Sequence, residues 1–191
     1  MADEQPSRVG TLIAGKYRVD AELGRGGMGA VYRVTHVQVG RQFALKVLHK
    51  ELAANREAGL RFMKEAQVAG RIGHPAILDI FDVGECDDGA LFMLMELLRG
   101  QPLAAALEDQ ALDVAQATWI ASELLEALAA AHRVGVLHRD VKPQNVFLAL
   151  AADGRRVVKL LDFGIAKFQD ASDESALTRT GKIVGSPLYM A

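Results

Sequence analysis

The sequence contains a single cysteine, Cys86, among its 191 residues. One cysteine excludes an internal disulfide framework and a cysteine-based metal site, and it fits a reducing cytoplasm. An excess of charge of either sign is also missing. The formal net charge is −2, so electrostatics gives no reason to expect nucleic acid as the main partner. With 50% hydrophobic and 24% charged residues, the composition is that of a globular protein.

Long hydrophobic runs are missing as well. The first ten residues, MADEQPSRVG, lack the apolar core of a secretory signal. A membrane helix needs roughly 18 apolar residues without charges, and the most apolar stretch, Ala115 to Ala131, is interrupted by Ser122, Glu123 and Glu126. We therefore expect a soluble, cytoplasmic chain with no membrane segment of its own, and we leave open an anchor in a longer parent chain.

A glycine cluster lies between two strand-like patterns near the N-terminus. Residues 1–10 are polar and predict a disordered lead-in, after which Tyr17–Leu23 and Ala30–Val34 alternate as strands do, with GRGGMG between them at residues 24–29. Glycines between two strands predict a hairpin whose backbone approaches a ligand closely. Dinucleotide-binding domains share the GxGxxG spacing, but their glycines open a helix. The second strand pattern favours a flap over the phosphates of ATP.

Lys46 stands among apolar neighbours in the next predicted strand, Gln42–Leu48. A buried ammonium needs a partner, because isolated burial costs several kcal/mol or removes its proton. The sequence allows two interpretations of Glu65, which lies in the helix predicted after this strand. It pairs with Lys46, or it is exposed and pairs with Lys64 or Arg61, an interaction worth under about 1 kcal/mol.

The predicted helix begins at or near Asn55 and has apolar residues at helical spacing: Leu60, Met63, Ala66 and Ala69 or Gly70. Gly73-His74-Pro75 ends it, and we interpret His74 as a structural residue rather than a ligand. Ile77–Val83 and Leu91–Leu97 are predicted as two further strands, joined by the hairpin signal Asp87-Asp88-Gly89. Residues 11–98 therefore predict a small antiparallel α+β lobe with five strands and one helix.

The second half of the chain is predicted to begin with a hinge at residues 99–102. Asp113, with Gln116 three residues later, predicts the N-cap of a helix that runs to about His132. This helix is apolar around most of its circumference, which predicts burial on several faces. Phe147–Leu150 and Val157–Leu160 predict a second hairpin.

The segment HRDVKPQN, residues 138–145, places a carboxylate, a cation and an amide close together in the chain. Pro143 is expected to keep the segment out of a helix and to bias Lys142 toward an extended conformation. Since side chains two apart in an extended stretch point the same way, Asp140 and Lys142 are expected to face one side together.

A second motif, Asp162-Phe163-Gly164, follows this segment. Asn145 and Asp162 supply hard oxygen atoms of the kind that suit magnesium. In order and spacing, the two motifs resemble the catalytic loop and the metal-binding motif of eukaryotic-type protein kinases. The stretches FALK, at residues 43–46, and GRGGMGAVYR, at residues 24–33, are similar to the family's ATP-binding strands, the latter to bacterial serine/threonine kinases in particular.

The resemblance implies a protein kinase-like, two-lobe α+β fold, with an N-lobe at residues 11–98 and an incomplete helical C-lobe at residues 99–191. It implies transfer of the γ-phosphate of ATP, with Mg²⁺, to serine or threonine hydroxyls of protein substrates, and it suggests self-association for autophosphorylation. Because the family's domain continues beyond this point, we expect a fragment or a natural truncation that is inactive in isolation. The alternative is a non-catalytic, nucleotide-binding pseudokinase or scaffold.

The resemblance also assigns roles to individual residues. Asp140 would orient the substrate hydroxyl and accept its proton, and Lys142 would offset charge on the γ-phosphate. Lys46 would pair with Glu65 and reach the α- and β-phosphates. The residues expected to contact ATP, with Met95 as gatekeeper, are Leu23, Gly24, Gly26, Gly29, Val31, Ala44, Lys46, Met95, Glu96, Leu98 and Phe147.

A polar stretch after the second motif contains Thr178 and Thr180. A phosphate on either residue could form charge-assisted hydrogen bonds with Arg139 and order the loop around it. The alternative is that both threonines are ordinary exposed loop residues.

Overall fold

The computed structural model describes residues 7–151 and 153–163, which divide into two compact units. The first unit comprises residues up to 60 together with residues 80–97, and the second comprises residues 61–79 and those from 98 onward. The boundary between residues 97 and 98 lies one residue before the lobe boundary that we predict between residues 98 and 99. The predicted N-lobe, however, includes residues 61–79, which group with the second unit.

The first unit is built on an antiparallel sheet. Its strands are β1 (Leu12–Ile13), β2 (Tyr17–Gly26), β3 (Gly29–His36), β4 (Gln42–Leu48), β5 (Ile80–Glu85) and β6 (Leu91–Met95). They form a six-stranded sheet in the order β1-β2-β3-β4-β6-β5. The predicted count of five is therefore wrong by one strand, because β1 has two residues and is too short to show an alternating pattern.

The hydrophobic core of this unit covers one face of the sheet. Successive residues of a strand point to opposite faces, and on the core face Val34 and Leu45 are fully buried while Leu94 is 3% exposed. Their strand neighbours Ala44 and Lys46 therefore point to the opposite face. The sheet thus separates a closed apolar core from a second face that carries a charged side chain.

Residues 7–10, which belong to the predicted disordered lead-in, are bonded to this sheet. The amide of Gly10 donates to the carbonyl of Val19 at 2.9 Å, and the Arg8 guanidinium lies 2.7 Å from a carboxylate oxygen of Asp88. These contacts are 9 and 80 residues apart along the chain, so a local reading of the sequence does not reveal them.

Two helices follow β4, where the sequence predicts one: α1 (Lys50–Ala53) and α2 (Arg56–Ile72). The predicted start of the longer helix is confirmed, because Asn55 Oδ1 accepts the backbone amides two and three residues ahead, at 3.0 and 3.2 Å. The predicted end is confirmed as well. Gly73 follows the last helical residue with φ +58°, a left-handed conformation that glycine adopts easily.

The buried stripe of α2 agrees only in part with the predicted one, because Ala66 and Ala69 belong to both. Phe62, Ala66, Ala69 and Ile72 are buried, whereas Leu60 is 60% exposed. Both Leu60 and Phe62 fit a helical period, and periodicity alone does not decide between the two phases. The boundary between the two units falls within this helix, after residue 60.

Besides most of α2, the second unit contains a small antiparallel sheet and two further α-helices. These elements are β7 (Gly100–Pro102), α3 (Leu103–Asp109), α4 (Val114–Arg133), β8 (Val146–Leu150) and β9 (Arg156–Leu160), with sheet order β7-β8-β9. The predicted hairpin of β8 and β9 is confirmed. Residues 100–102 of the predicted hinge form β7, and α3 has no counterpart in the prediction.

Glycine is required where β7 meets β8. A Cβ placed on Gly100 would lie 2.0 Å from the carbonyl oxygen of Leu148, and the residue has φ +137°. Both the close approach and the backbone angle exclude a larger residue without rearrangement.

Helix α4 begins with the predicted capping box. Asp113 Oδ1 accepts the amide of Gln116 at 2.7 Å, and Gln116 Oε1 accepts the amide of Asp113 at 3.2 Å. Burial is confined mainly to one face, which includes Ile120 and Ala127, while Leu125 is 66% exposed. The predicted burial of α4 on several faces is thus not found. Among the described residues, no helix is both long enough and apolar enough to cross a membrane.

We expect Asp113→Ala to lower the free energy of unfolding by about 1 kcal/mol, because the amide of Gln116 loses its side-chain acceptor. Asp113→Asn should cost only a few tenths of that, since asparagine also caps. Urea unfolding followed by far-UV circular dichroism measures both variants. Equal losses in the two would show that the box does not stabilise α4.

Candidate functional site

Lys142, within the segment 138–145, has the predicted extended conformation. This residue has φ −158° and ψ 160°, and its Nζ lies 2.9 Å from Asp140 Oδ2. The prediction that the two side chains face one side is confirmed. Pro143 does not exclude helical geometry altogether, because it opens a single 3₁₀ turn at Pro143–Asn145. Its fixed φ and missing amide hydrogen suit that first position.

Asn145 is bonded to the same aspartate. Its Nδ2 donates to the backbone carbonyl of Asp140 at 2.9 Å and to Asp140 Oδ2 at 3.0 Å. The side chain is 8% exposed, so its orientation is well defined by these bonds. With the amide nitrogen used in this way, Oδ1 is the atom of Asn145 that would bind a cation.

His138 is the first residue of the segment 138–145, and the sequence predicts no role for it. It is 2% exposed, its Nε2 lies 2.9 Å from the carbonyl oxygen of Leu161, and its Nδ1 lies 3.3 Å from the amide nitrogen of Asp140. A carbonyl only accepts and an amide N–H only donates. The neutral imidazole with its proton on Nε2 satisfies both contacts.

The surroundings of His138 favour this neutral form. Burial lowers its pKa below the ordinary value and outweighs the Leu161 carbonyl and the charges of Asp140 and Asp162, which raise it. The ring also packs against Phe163, with ring centroids 4.7 Å apart. Because Leu161 lies 23 residues from His138, the local sequence gives no indication of their hydrogen bond.

Leu161 connects the two motifs. Its carbonyl accepts the proton of His138 Nε2, and its amide donates to the carbonyl of Asn145 at 2.8 Å. The residue before Asp162 is therefore bonded to both ends of the segment 138–145. Although residues 145 and 162 are separated in sequence, their backbones are held side by side.

Two residues of this region have left-handed backbone angles. Arg139 has φ +60° and Asp162 has φ +41°. Such conformations cost about 1–3 kcal/mol for residues with a side chain, and they persist only where surrounding bonds enforce them. The bonds of Leu161 and His138 lie directly beside both positions.

Strand β9 is held on its outer edge by the segment that follows α2. The amide of Leu160 donates to the carbonyl of Ala76 at 2.7 Å, and the amide of Leu78 donates to the carbonyl of Leu160 at 3.2 Å. Lys159, which is 8% exposed, places its Nζ 3.5 Å from the carbonyl of Ile77. These contacts fix the strand that leads into Leu161.

In the first unit, the predicted ATP-contacting residues of three strands share the face opposite the core. Val31 of β3 pairs with Lys46 of β4, and Ala44 pairs with Met95 of β6. Directly opposite residues of neighbouring strands lie on the same face. Lys46 is half-buried there, and Ala44 and Met95 are buried.

The glycine motif forms the tip of the β2–β3 hairpin, with Gly26 opposite Gly29. The strands extend further into the motif than predicted, so that only Gly27 and Met28 remain as the turn. A Cβ on Gly29 would lie 2.1 Å from the carbonyl oxygen of Val47, which makes glycine obligatory there. An antiparallel strand after the glycines, instead of a helix, excludes the dinucleotide-binding interpretation.

The predicted site residues fall into both units. Those up to residue 96 lie in the first unit, except Glu65, which lies in the second with Leu98, Phe147 and the two motifs. The pairing of Lys46 with Glu65 therefore concerns residues of different units and stays a prediction. Thr178, Thr180 and Gly164 lie outside the described residues.

The glycine hairpin on an antiparallel sheet, together with the two linked motifs, defines the class of protein kinases. The family of the protein kinase domain matches residues 17–191, and the chain belongs to this family. The match confirms the family that the motifs indicate.

The relatives are bacterial. Serine/threonine-protein kinase pkn3 of Myxococcus xanthus is 42% identical over 96% of this chain and 34% of its own length. Serine/threonine-protein kinase PknJ of Mycobacterium tuberculosis is 38% identical over 95% of this chain and 30% of its own length. The chain thus spans about a third of the length of these relatives.

A solved structure has the same fold. The chain is similar to the crystal structure of the Mycobacterium tuberculosis PknI kinase domain, with a TM-score of 0.70 and 38% sequence identity. The similarity covers 84% of this chain and 64% of that one. It confirms the predicted kinase-like α+β fold, apart from the strand count corrected above.

We expect His138 in the folded protein to be neutral at about pH 7.5, with its proton on Nε2, and to become protonated only at a lower pH than a solvent-exposed histidine does. The pKa of His138 is lowered in the folded state. In the unfolded state, its pKa is about 6.5. The folded state therefore binds fewer protons, and its stability decreases as the pH falls below about 6.5 and through the folded pKa.

Proton–nitrogen correlation NMR of the imidazole identifies the protonation state and the tautomer. His138→Phe keeps a ring against Phe163 and removes the titrating group, so stability of this variant should vary less with pH in the same range. An imidazolium signature for His138 at about pH 7.5, or a midpoint of its titration at or above about 6.5, would contradict the assignment.

Proposed function

We propose that this chain provides catalytic residues of an ATP-dependent serine/threonine protein kinase, which transfers the γ-phosphate of ATP to serine or threonine hydroxyls of proteins. The observation that carries the proposal is the arrangement at Asp140, whose Oδ2 lies 2.9 Å from Lys142 Nζ and 3.0 Å from Asn145 Nδ2. The similar curated proteins bear the name serine/threonine-protein kinase, which supports the same reaction.

Asp140 is the residue that acts on the substrate hydroxyl. Its carboxylate is held by Lys142 and Asn145, so that its orientation is set before a substrate arrives. A carboxylate in this position orients the hydroxyl group and accepts its proton as the phosphoryl group is transferred. Positioning of this kind provides most of the catalysis in phosphoryl transfer, where little covalent chemistry falls to the protein.

Lys142 acts on the phosphate. Its ammonium is 24% exposed and sits beside the Asp140 carboxylate, where it offsets the charge that spreads over the γ-phosphate oxygens during transfer. Because Lys142 extends from the same backbone stretch as Asp140, the cation and the carboxylate keep a fixed relation. A hydroxyl at Asp140 and a phosphate at Lys142 would thereby be neighbours.

The donor atoms of Asn145 and Asp162 fit Mg²⁺. An amide oxygen and a carboxylate are hard ligands, and Mg²⁺ is commonly held by one or two protein groups, with phosphate and water oxygens as its other ligands. Among the described residues there is no group of three or more histidine, cysteine or acidic side chains that would favour another metal. When bound, Mg²⁺ neutralises charge on the phosphates.

We assign most of the ATP contacts to the first unit. The amides of the glycine hairpin would cover the phosphates, Lys46 would reach the α- and β-phosphates, and Val31, Ala44 and Met95 would contact the adenine. The shared face of Lys46, Val31 and Ala44 supports this assignment. The roles of Leu23, Glu96, Leu98 and Phe147, and the pairing of Lys46 with Glu65, rest on the family pattern.

The wider biology remains a prediction as well. A cytoplasmic location, self-association for autophosphorylation, and phosphorylation of Thr178 or Thr180 each follow from the sequence alone. The competing function is a nucleotide-binding module without catalysis. The presence of Asp140, Lys142, Asn145 and Asp162 together favours the catalytic alternative.

We expect Asp140→Asn in the intact natural protein to lower kcat by about 100-fold or more, because the general base is lost, while ATP binding is retained. Transfer of labelled phosphate to a generic protein substrate and calorimetric ATP binding measure the two effects. The matched control is Asp153→Asn, since Asp153 is exposed in the β8–β9 turn and pairs only locally, with Arg155 at 2.6 Å.

Three results would separate the alternatives. Undiminished transfer by Asp140→Asn would remove Asp140 from its role. Binding of Mg-ATP by the wild-type protein without any transfer would select the non-catalytic module. Loss of activity in Asp153→Asn as well would indicate that the charge change, rather than the position, is responsible.

A further inference from the structure

His49 contacts the tip of the glycine hairpin twice. Its Nε2 lies 2.9 Å from the carbonyl oxygen of Gly26, and its backbone amide donates to the carbonyl of Met28 at 3.0 Å. Gly26 ends one strand of the hairpin, and Met28 belongs to the two-residue turn. One residue therefore holds both sides of the tip.

The imidazole of His49 hydrogen-bonds to the hairpin and does not cap the helix that His49 precedes. His49 is the N-cap residue of α1, with φ −59° and ψ 143°, yet its side chain makes no capping hydrogen bond. Side chains at this position ordinarily accept a first-turn amide, for which asparagine is among the best residues and histidine is not. Because the Gly26 carbonyl only accepts, Nε2 carries the proton and donates it.

The backbone around His49 is held in place by further contacts. The amides of Leu52 and Ala53 donate to the carbonyl of His49 at 3.0 and 2.9 Å. The next residue, Lys50, places its Nζ 3.0 Å from the Asp88 carboxylate, which Arg8 also contacts at 2.7 Å.

The Asp88 carboxylate is charged over the whole neutral range. Burial alone would raise its pKa, but the hydrogen bonds from Lys50, Arg8 and the Ala90 amide outweigh this and lower the pKa to about 2. The ion pair with Lys50 is therefore present at any pH at which the protein would be assayed, and α1 supports His49 under those conditions.

The tip of the hairpin is open on the side of Gly24, Gly26 and Gly27, whereas Gly29 on the other side packs closely against Val47. Among the described residues, a Cβ on Gly24, Gly26 or Gly27 would meet no atom within 4 Å. Glycine backbones also have the largest conformational freedom to lose when they are ordered around a ligand. A hydrogen bond that restrains the tip beforehand lowers the cost of ordering it.

We propose that His49 is a positioning residue for ATP, which holds the glycine hairpin in the conformation that binds the phosphates. The inference rests on the proposed function and adds to it a residue outside the kinase motifs. It concerns the binding of ATP rather than the chemical step, so the effect of a substitution should fall on KM for ATP.

Two substitutions separate this role from a role in capping α1. His49→Asn retains a capping side chain but is too short to reach Gly26, so KM for ATP should rise about 2- to 10-fold, as expected for one lost hydrogen bond. His49→Gln extends an amide N–H donor further toward Gly26, so KM should stay near the wild-type value. In both variants kcat should change by less than about twofold, and the thermal midpoint should stay close to that of the wild type.

The control is His132→Ala, which removes an exposed histidine from the end of α4 and should leave KM and kcat unchanged. An unchanged KM in folded His49→Asn would overturn the inference, as would equal increases in His49→Asn and His49→Gln. A fall in kcat with KM unaltered would also overturn it.

Amide hydrogen exchange gives a second measurement that does not depend on turnover. Exchange at residues 26–28 should be faster in His49→Asn than in the wild type, and close to the wild type in His49→Gln. Equal exchange in all three would refute a restraint on the tip. If the wild-type protein binds ATP but transfers no phosphate, the proposed function fails, while the exchange comparison still decides the role of His49.

Discussion

The bond from His138 to Leu161 is the contact on which the segment 138–145 depends. A buried backbone carbonyl needs a donor and a buried amide needs an acceptor, because an unpaired group costs about 1–3 kcal/mol. The neutral imidazole of His138 supplies both, to Leu161 and to Asp140. No apolar side chain of similar size can do so, and a charged imidazole would lose one of the two bonds. The fold thereby links burial, protonation state and the position of Asp140.

Strain at the site has a direct structural explanation. Arg139 and Asp162 both have positive φ angles, and each lies next to a residue of the His138–Leu161 contact. The bond from Leu161 to the Asn145 carbonyl closes a second connection around the same region. With several bonds enforcing one backbone path, the strained angles are tolerated. They turn the Arg139 and Asp162 side chains away from the directions that a regular strand would give them.

Sequence reasoning succeeded where the determining interactions are local. The capping box at Asp113 and the β8–β9 hairpin depend on residues a few positions apart, and the HRD and DFG motifs carried the family assignment by their order. It failed for β1, the phase of the α2 stripe and the role of His138. Those features depend on partners that are distant in the chain, such as Leu161, and on which of two apolar faces finds a surface to cover.

A histidine bonded to a backbone carbonyl fixes a functional segment in each unit, but the two environments differ. His138 is 2% exposed, and only one of its protonation states satisfies both neighbours. His49 lies in an exposed contact and donates from Nε2 whether its ring is neutral or charged. Solvent also competes for the exposed bond, which makes it weaker and easier to exchange. Under the proposed function, the segment that positions the Asp140 carboxylate benefits from a rigid bond, whereas the glycine hairpin that would cover the ATP phosphates needs a bond that can open. The buried contact of His138 and the exposed contact of His49 fit these two requirements.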